Sequence, residues 1–260
     1  MDHLIDAKLY VQAAYWEICG LKPWRWIRQR KQFVSIAEVT GTVSSISGAT
    51  VTVSVAITPS MAGRKFMIDS DGIPCRIDTH TSGASTFTLL AGSYTGEATS
   101  GSFTIFQDEV STGLTDILAF PIVTELHWGD DLRLVTENEL AKRFPRNVYG
   151  TTRAQYAAFI MGSTIRMAPW TKSARLFEIS YNYRPAALTF DGTANDTPVV
   201  PQDSRIVIAQ RALSKLYSDK RDARLSEANR EMEETLARMS ATEATFAKPR
   251  IYLPPGNRVS

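Results

Sequence analysis

The spacing of apolar residues changes twice along this chain, and these changes limit the folds available to it. Between Leu4 and Ile18, apolar residues recur every three or four positions, which predicts an amphipathic helix over residues 2–19. Over residues 33–127 the spacing falls to two, which predicts short strands. The helical spacing returns over residues 203–239. The sequence therefore predicts an α+β fold, in which a helical platform from both chain termini carries an inserted antiparallel β module.

The strands of the middle segment are short and evenly spaced. Val51, Val53, Val55 and Ile57 alternate with small or polar residues, and Ser47-Gly48 predicts a hairpin turn before them. Further strands are predicted at 42–46, 65–69, 73–78, 86–90 and 102–107. Thr, Ser, Gly and Asp cluster between these segments at intervals of about ten residues, which favours a small barrel or a sandwich.

Tryptophan and charge are distributed in the same nested way. All five tryptophans lie outside residues 33–127. The net charge is +3 over residues 1–32, −7 over 33–135 and +6 over 136–260. We therefore predict three parts: a platform of helices and short strands at 1–32 plus 128–240, the β module at 33–127, and an extended C-terminal arm at 241–260.

Two helices are predicted in the last third of the chain. The first covers 203–218, and its expected buried side is Ile206, Val207, Ala209, Ala212, Leu213, Leu216 and Tyr217. The second covers 222–239, and its expected stripe is Leu225, Ala228, Met232, Leu236 and Met239. A shorter helix should begin at Thr136, because Thr136 and Glu139 form a capping-box pattern, and end at Pro145.

Two acidic segments are candidate sites of chemistry. Asp69-Ser70-Asp71-Gly72 is similar to the start of a calcium loop, but His80 stands where a ligand glutamate is needed, so a hairpin turn is preferred. His127-Trp128-Gly129-Asp130-Asp131 places an imidazole beside two carboxylates. Three histidines and two cysteines are too few for a typical metal site, so a solvated turn is preferred there too. We predict no enzyme activity, no metal and no cofactor; a hydrolase using Asp130 or Asp131 is the weakest alternative.

Composition also bears on compartment and partners. The start lacks a signal-peptide pattern, and the longest apolar run, residues 117–123, contains Pro121 and is too short to cross a bilayer. Cys19 and Cys75 form no disulfide framework, which suits a reducing cytosol. A total charge of only +2 argues against a general nucleic-acid binder. We therefore expect cytoplasmic assembly and no membrane partner.

Two segments are candidate binding elements. Basic residues from Lys22 to Lys31 surround Trp24 and Trp26, a pattern that fits base stacking, although packing of the rings on the first helix is preferred. The arm is too apolar for a segment that contacts only solvent, and we expect it to dock on a partner; the alternative is an arm without a role. Its candidate contacts are Phe246, Lys248, Arg250, Ile251, Tyr252 and Leu253.

Three segments in this order resemble bacteriophage head-to-tail adaptor (connector) proteins. The first is an opening helix with a tryptophan-rich end, Ala14-Tyr15-Trp16-Glu17-Ile18 followed by Trp24-Arg25-Trp26-Ile27. The second is Phe177-Glu178-Ile179-Ser180-Tyr181-Asn182-Tyr183-Arg184-Pro185, and the third is the loop Asp196-Thr197-Pro198 to Pro201 leading into the terminal helices. The inserted β module is similar to that of the larger adaptors of short-tailed phages.

The resemblance implies a structural virion protein rather than a catalyst. Such adaptors form a ring of twelve subunits below the portal, which extends the DNA channel and docks tail or nozzle proteins at the portal–tail junction. Closure would need heterologous contacts, for which we nominate Arg211, Lys215, Arg224, Glu227, Glu231 and Glu234 on the terminal helices. The acidic module should repel genomic DNA that passes through without specific binding. The alternative function is a β-module protein of the phage tail that binds a host surface or glycan.

Overall fold

The computed structural model describes residues 2–90, 94, 96–145, 149–160, 163–191 and 197–246. The chain divides into two compact units. The first consists of Met1–Gln29, Asp116–Phe120 and Tyr181–Ser260, and the second of Arg30–Thr115 and Pro121–Ser180. The fold is mixed α+β with an antiparallel β module, as the sequence predicted. The module is a closed barrel, one of the two architectures that the alternating pattern left open.

The described residues form four α-helices and sixteen strands. The helices are α1 (Asp2–Leu21), α2 (Glu137–Arg143), α3 (Ile206–Asp219) and α4 (Leu225–Phe246). The strands up to the end of the barrel are β1 (Arg28–Ser35), β2 (Val39–Ser47), β3 (Thr50–Val53), β4 (Lys65–Ile68), β5 (Cys75–His80), β6 (Thr86–Leu89) and β7 (Gly101–Phe106). The remaining strands are β8 (Glu109–Ser111), β9 (Ile117–Glu125), β10 (Asp130–Asp131), β11 (Arg133–Leu134), β12 (Gly150–Thr151), β13 (Tyr156–Ile160), β14 (Thr164–Ala168), β15 (Trp170–Thr171) and β16 (Arg175–Tyr183).

In the first unit, α1, α3 and α4 share one apolar core. Helix α3 packs against both α1 and α4. The buried side chains of this core include Ile18 from α1, Val207 and Ala212 from α3, and Met232 and Met239 from α4. Ala228, Met232 and Met239 are buried as the predicted stripe of the last helix requires. Helix α4 continues past Met239 to Phe246, because the first residue that opposes a helix after Met239 is Pro249.

The carboxyl end of α1 is closed by side chains from outside the helix. Trp24 is 2% exposed and donates its indole N–H to the carbonyl of Ile18 at 2.7 Å. Asn182 donates its amide to the carbonyls of Cys19 (3.0 Å) and Lys22 (2.6 Å). The carbonyls of Ile18 and Cys19 belong to the last turn of α1, where a helix leaves its carbonyls without an internal partner, so these bonds satisfy them. The Lys22 carbonyl, which follows the helix, also accepts the backbone N–H of Trp24 at 2.8 Å. The packing interpretation of Trp24 is confirmed.

In the second unit, six strands close the barrel in the order β2-β3-β6-β5-β4-β7. All six pairings are antiparallel. Ser47 pairs with Thr50, so Gly48 and Ala49 form the hairpin loop, and Gly48 has the positive φ of 56° that glycine tolerates. The interior is filled by aromatic and branched side chains, including those of Val51, Phe66, Phe103 and Ile105.

One barrel strand is shorter than its alternating pattern predicts. The strand predicted to reach Ile57 ends at Val53, and Val55 is 59% exposed. The backbone bends at Ser54 and Val55, and Ile57 returns to the barrel core. Alternation therefore identified the strand but overstated its length.

The strands outside the barrel form three smaller sheets. Their orders are β1-β16-β9-β10, β11-β13-β14-β8 and β12-β15. Strands β1, β9 and β16 each carry the chain from one unit to the other.

The short helix α2 begins at its predicted cap. The Thr136 hydroxyl accepts the backbone N–H of Glu139 at 3.2 Å. The carboxylate of Glu139 does not complete the box, since it binds Arg143 one turn later at 2.8 Å. An ion pair at that spacing competes successfully for the same side chain.

Candidate functional site

The outward faces of the helical bundle are the strongest candidate for a functional surface. Helix α3 was predicted to bury Ile206, Ala209 and Leu213, but the structure exposes all three, Ile206 by 55% and Leu213 by 43%. Its buried side chains are instead Val207, Ile208, Ala212 and Ser214. The apolar residues of α3 cover more than one face of the helix, so periodicity alone could not decide which face turns inward.

An apolar groove runs between α1 and α3 on this outer side. Its volume is about 560 Å³, and most of its lining is aliphatic or aromatic. Ala7 and Val11 contribute from α1, and Ala209, Leu213 and Leu216 from α3. Exposed apolar surface of this kind, rimmed by polar groups, is typical of protein interaction sites.

The nominated residues of α3 take part in contacts within the chain. Arg211 and Lys215 both bind the carboxylate of Glu17 on α1, and the Lys215 Nζ lies 2.8 Å from Glu17 Oε2. Burial alone would raise the pKa of Glu17, but the hydrogen bonds and charges of these two cations lower it overall. These two cations therefore tie α3 to α1.

The nominated residues of α4 lie on its exposed side. Glu227, Glu231 and Glu234 are spaced four and three apart, so they share one helix face. Glu234 lies 4.0 Å from Arg230, and within the described part of the chain Glu227 and Glu231 have no ion-pair partner. Arg224, just before α4, binds Asp222 at 2.7 Å. The exposed side of α4 is therefore an acidic row.

Only the first residue of the nominated arm is described. Phe246 is the last residue of α4, so residues 241–246 belong to a helix rather than to an extended segment. Lys248, Arg250, Ile251, Tyr252 and Leu253 lie outside the described residues.

A second depression beside α3 is polar. It has a volume of about 590 Å³ and is lined in part by Tyr10, Arg211, Lys215, Asp219 and Asn229. The hydroxyl of Tyr10 donates to the carboxylate of Asp219, and this hydrogen bond raises the pKa of Tyr10. Tyr10 lies on α1 and Asp219 on α3, so this hydrogen bond is a further contact between the two helices.

The acidic segment at Asp69 is a turn. Asp71 Oδ2 accepts hydrogen bonds from the Tyr94 hydroxyl (2.9 Å) and the Ala98 backbone N–H (3.1 Å). Asp69 Oδ1 accepts from the Thr104 hydroxyl at 2.9 Å, and Gly72 has a φ of 60°. Both carboxylates are used by neighbouring strands and loops, which agrees with the preferred turn interpretation.

The acidic segment at Asp130 is held by an arginine and a threonine. Asp130 pairs with Arg153 at 3.0 Å, and Asp131 accepts from the Thr124 hydroxyl at 2.5 Å. The Arg153 guanidinium also lies 4.0 Å from the ring centroid of Trp128. The two carboxylates therefore fix a surface turn.

Sequence reasoning missed Glu125 at the start of that turn. Glu125 is 1% exposed and lies 3.5 Å from the Nε of Arg175. Burial raises the pKa of its carboxyl group, against the effect of the nearby arginines. A glutamate at the end of a strand is normally expected to be exposed to solvent. The sequence around Glu125 contains no pattern that would predict its burial.

Neither a metal site, a membrane-spanning helix nor a known relative identifies a function for the described part of the chain. Across the described ranges, no three His, Cys, Asp or Glu side chains are grouped as metal ligands would be. No helix in the described part of the chain is long and apolar enough to span a membrane. No protein-family model matches the chain, and no curated protein matches it.

Proposed function

We propose that this protein is a structural subunit of a tailed bacteriophage, a head-to-tail adaptor that assembles as a ring below the portal protein. In this role the ring, of about twelve copies by its family resemblance, extends the DNA channel and docks tail or nozzle proteins. The protein carries out no reaction. Its location is the portal–tail junction of the virion, after assembly in the host cytoplasm.

The bundle of α1, α3 and α4 supports this role as a platform. Residues from both ends of the chain share its core, and Glu17 is bound by Arg211 and Lys215 across α1 and α3. A platform of this kind is rigid enough to present fixed faces to two neighbours, because several independent contacts hold its helices together.

The outer faces of the bundle differ in chemistry. The groove beside Leu213 is apolar, whereas the exposed side of α4 carries the acidic row of Glu227, Glu231 and Glu234. A surface with unlike patches favours heterologous contacts between copies, and such contacts generate a ring when the rotation closes. The arm, with Lys248 and Arg250, has the charge that would complement an acidic row on a neighbour.

The outward apolar face of α3 is the observation that carries the proposal. A second copy covering the groove would bury Ala209 and Leu213, which line it. The decisive experiment is native mass measurement and electron microscopy of the full chain, alone and mixed with its portal protein. We expect rings or portal-bound complexes for the wild type and loss of assembly for Leu213→Glu, which places a charge in the contact.

Val55→Glu provides a matched control. Val55 is also an exposed apolar residue, but it belongs to the second unit, outside the groove. We expect this variant to assemble like the wild type. A wild-type chain that stays monomeric with portal protein, or a Leu213→Glu variant that assembles normally, would contradict the proposal.

The tail-component alternative is supported by the barrel having a core of its own. Thirteen buried residues form that core, separate from the core of the helical bundle. Saturable binding of a glycan by the full chain, without any association with portal protein, would favour the alternative over the adaptor.

A further inference from the structure

A polar cavity opens beside the barrel strands β4 and β5. It has a volume of about 290 Å³, and two arginines line it. Arg64 immediately precedes β4, and Arg76 lies on β5, where it pairs with Lys65 in the strand register. Two arginines thus line one cavity in a segment, residues 33–135, whose net charge is −7.

Arg64 is buried without a carboxylate. It is 5% exposed, and its Nη1 donates to the sulfur of Met61 at 2.8 Å. Within the described residues, no carboxylate oxygen lies within 4.0 Å of its guanidinium nitrogens. A thioether is a weak acceptor, and a buried cation is costly unless an anion pairs with it. Burial accordingly lowers the pKa of Arg64, although an arginine keeps its proton.

The carboxylates nearest to this cavity are already neutralised. Asp108 is bound by the Nζ of Lys65 at 2.7 Å and lies 3.4 Å from the Nε of Arg166. Glu109, which lines the cavity, lies 3.3 Å from the same Lys65 Nζ. These carboxylates therefore pair with Lys65 and Arg166, and in the described part of the chain neither Arg64 nor Arg76 takes part in an ion pair.

Neutral hydrogen-bonding groups surround the two arginines. Ser111 and Thr164 line the cavity and pair with each other in the register of β8 and β14. Gln107 accepts the backbone N–H of Ile36 through Oε1 at 3.0 Å, which turns its amide NH2 to the other side. A carboxylate has two oxygens, whereas a phosphate group has enough acceptors for two guanidinium groups, two hydroxyls and an amide.

We propose that this cavity binds a phosphate group, with Arg64 and Arg76 as its cationic contacts and with Ser111, Thr164 and Gln107 as neutral donors. The buried guanidinium of Arg64 gains the anion that its surroundings lack. This inference does not depend on ring assembly, since every contacting residue belongs to the second unit of a single chain.

Calorimetric titration of the full chain with inorganic phosphate, in a chloride buffer, tests the proposal. We expect saturable binding to one site and a rise in the unfolding temperature with phosphate concentration. Arg76→Ala should weaken binding by about tenfold or more, because it removes a charge-assisted contact. Arg64→Lys should also weaken binding, since an ammonium keeps the charge but loses the planar fork.

Arg133→Ala is the matched control. Arg133 is an exposed arginine of the same unit that does not line the cavity, so its replacement should leave phosphate affinity unchanged. Arg76 is itself exposed, so Arg76→Ala decides the matter even where an Arg64 variant fails to fold. Absence of saturable binding by the wild type, or equal affinity of the wild type and Arg76→Ala, would overturn the proposal.

A second titration identifies where the phosphate comes from. Thymidine monophosphate and a short oligothymidylate are compared in competition with inorganic phosphate. Tighter binding of the oligonucleotide, lost in Arg76→Ala, supports a nucleic-acid phosphate at this site. Equal binding of phosphate and monophosphate, with no gain for the oligonucleotide, supports a free phosphate or nucleotide.

Discussion

The indole N–H of Trp24 donates to the carbonyl of Ile18 and thereby closes α1 at its carboxyl end. The ring itself is buried, and it stacks on Trp26 with 5.8 Å between the ring centroids. One side chain thus supplies both a hydrogen bond to the helix end and a large part of the packing beneath it.

Replacing Trp24 should separate these two contributions. Trp24→Phe keeps most of the ring but loses the hydrogen bond, so we expect a loss of about 1–3 kcal/mol in the free energy of unfolding. Trp24→Ala also loses the packing and should cost about 3–5 kcal/mol. Chemical denaturation measures both. Trp26→Phe is the control, and a loss as large as that of Trp24→Phe would contradict the assigned hydrogen bond.

Gly41 in β2 should not tolerate replacement by alanine, because even a methyl group has no room there. A Cβ at this position would lie 2.9 Å from the ring carbon Cε1 of Phe103, which is fully buried in the barrel. We expect Gly41→Ala to lower the free energy of unfolding by about 1–3 kcal/mol.

Two further variants check this explanation. At Gly20 of α1 the nearest atoms to an added Cβ are 3.8 Å away on Leu118, so Gly20→Ala should be neutral or slightly stabilising. In the double variant Gly41→Ala with Phe103→Leu, the cost should be smaller than the two single costs together. Strict additivity would show that the ring is not the obstacle.

The ion pairs of Glu17 should make stability depend on pH. Its folded-state pKa is lowered, so its contribution is present above the ordinary glutamate pKa and is lost as pH falls through the lowered value. We expect Glu17→Gln to cost about 1 kcal/mol at neutral pH, a small value because the pair is partly exposed. Denaturation at a series of pH values should show the wild type and the variant converging in acid. A difference that persists there would assign the effect to packing.

A truncation should separate folding from assembly. Removing the whole predicted arm, residues 241–260, would cut into the fold, because α4 extends to Phe246 and Glu243 accepts the backbone N–H of Arg25 at 3.3 Å. A chain that ends after Phe246 keeps all of α4 and the hydrogen bond of Glu243. We expect unchanged unfolding of the monomer and weaker binding to portal protein or to neighbouring copies. Full assembly by the shortened chain would contradict a docking role for the arm.

The sequence predicted the buried residues of a helix correctly where that helix has a single apolar face, packed against a single core. The stripe of α4 is an example, because three of its predicted residues, Ala228, Met232 and Met239, are buried. The prediction for α3 failed at Ile206 and Leu213, since its apolar residues surround more of the helix than one core can cover. Alternation in the middle segment also could not distinguish a barrel from a sandwich, because both bury one face of each strand.

The cavity residues gave no signal in the sequence at all. Arg64 stands next to Lys65 at the start of a strand, where cations are usually solvated. Its burial depends on Met61, three residues earlier, and on strands far away in sequence. The barrel supplies Arg76, and the neighbouring sheet of β8 and β14 supplies Ser111 and Thr164, so only the folded chain brings these groups together.

Each unit is built from segments far apart in the chain, which passes between the units four times, and this imposes an order of events during synthesis. Glu17 and Arg211 are separated by 194 residues, so α1 leaves the ribosome long before the helix that covers it. At typical rates of translation this delay is roughly 10–40 s. All six barrel strands, by contrast, are complete once Phe106 has emerged. We therefore expect the barrel to form first, while Ile18 and its neighbours stay uncovered until the last third of the chain arrives, which is the interval in which a chaperone would bind.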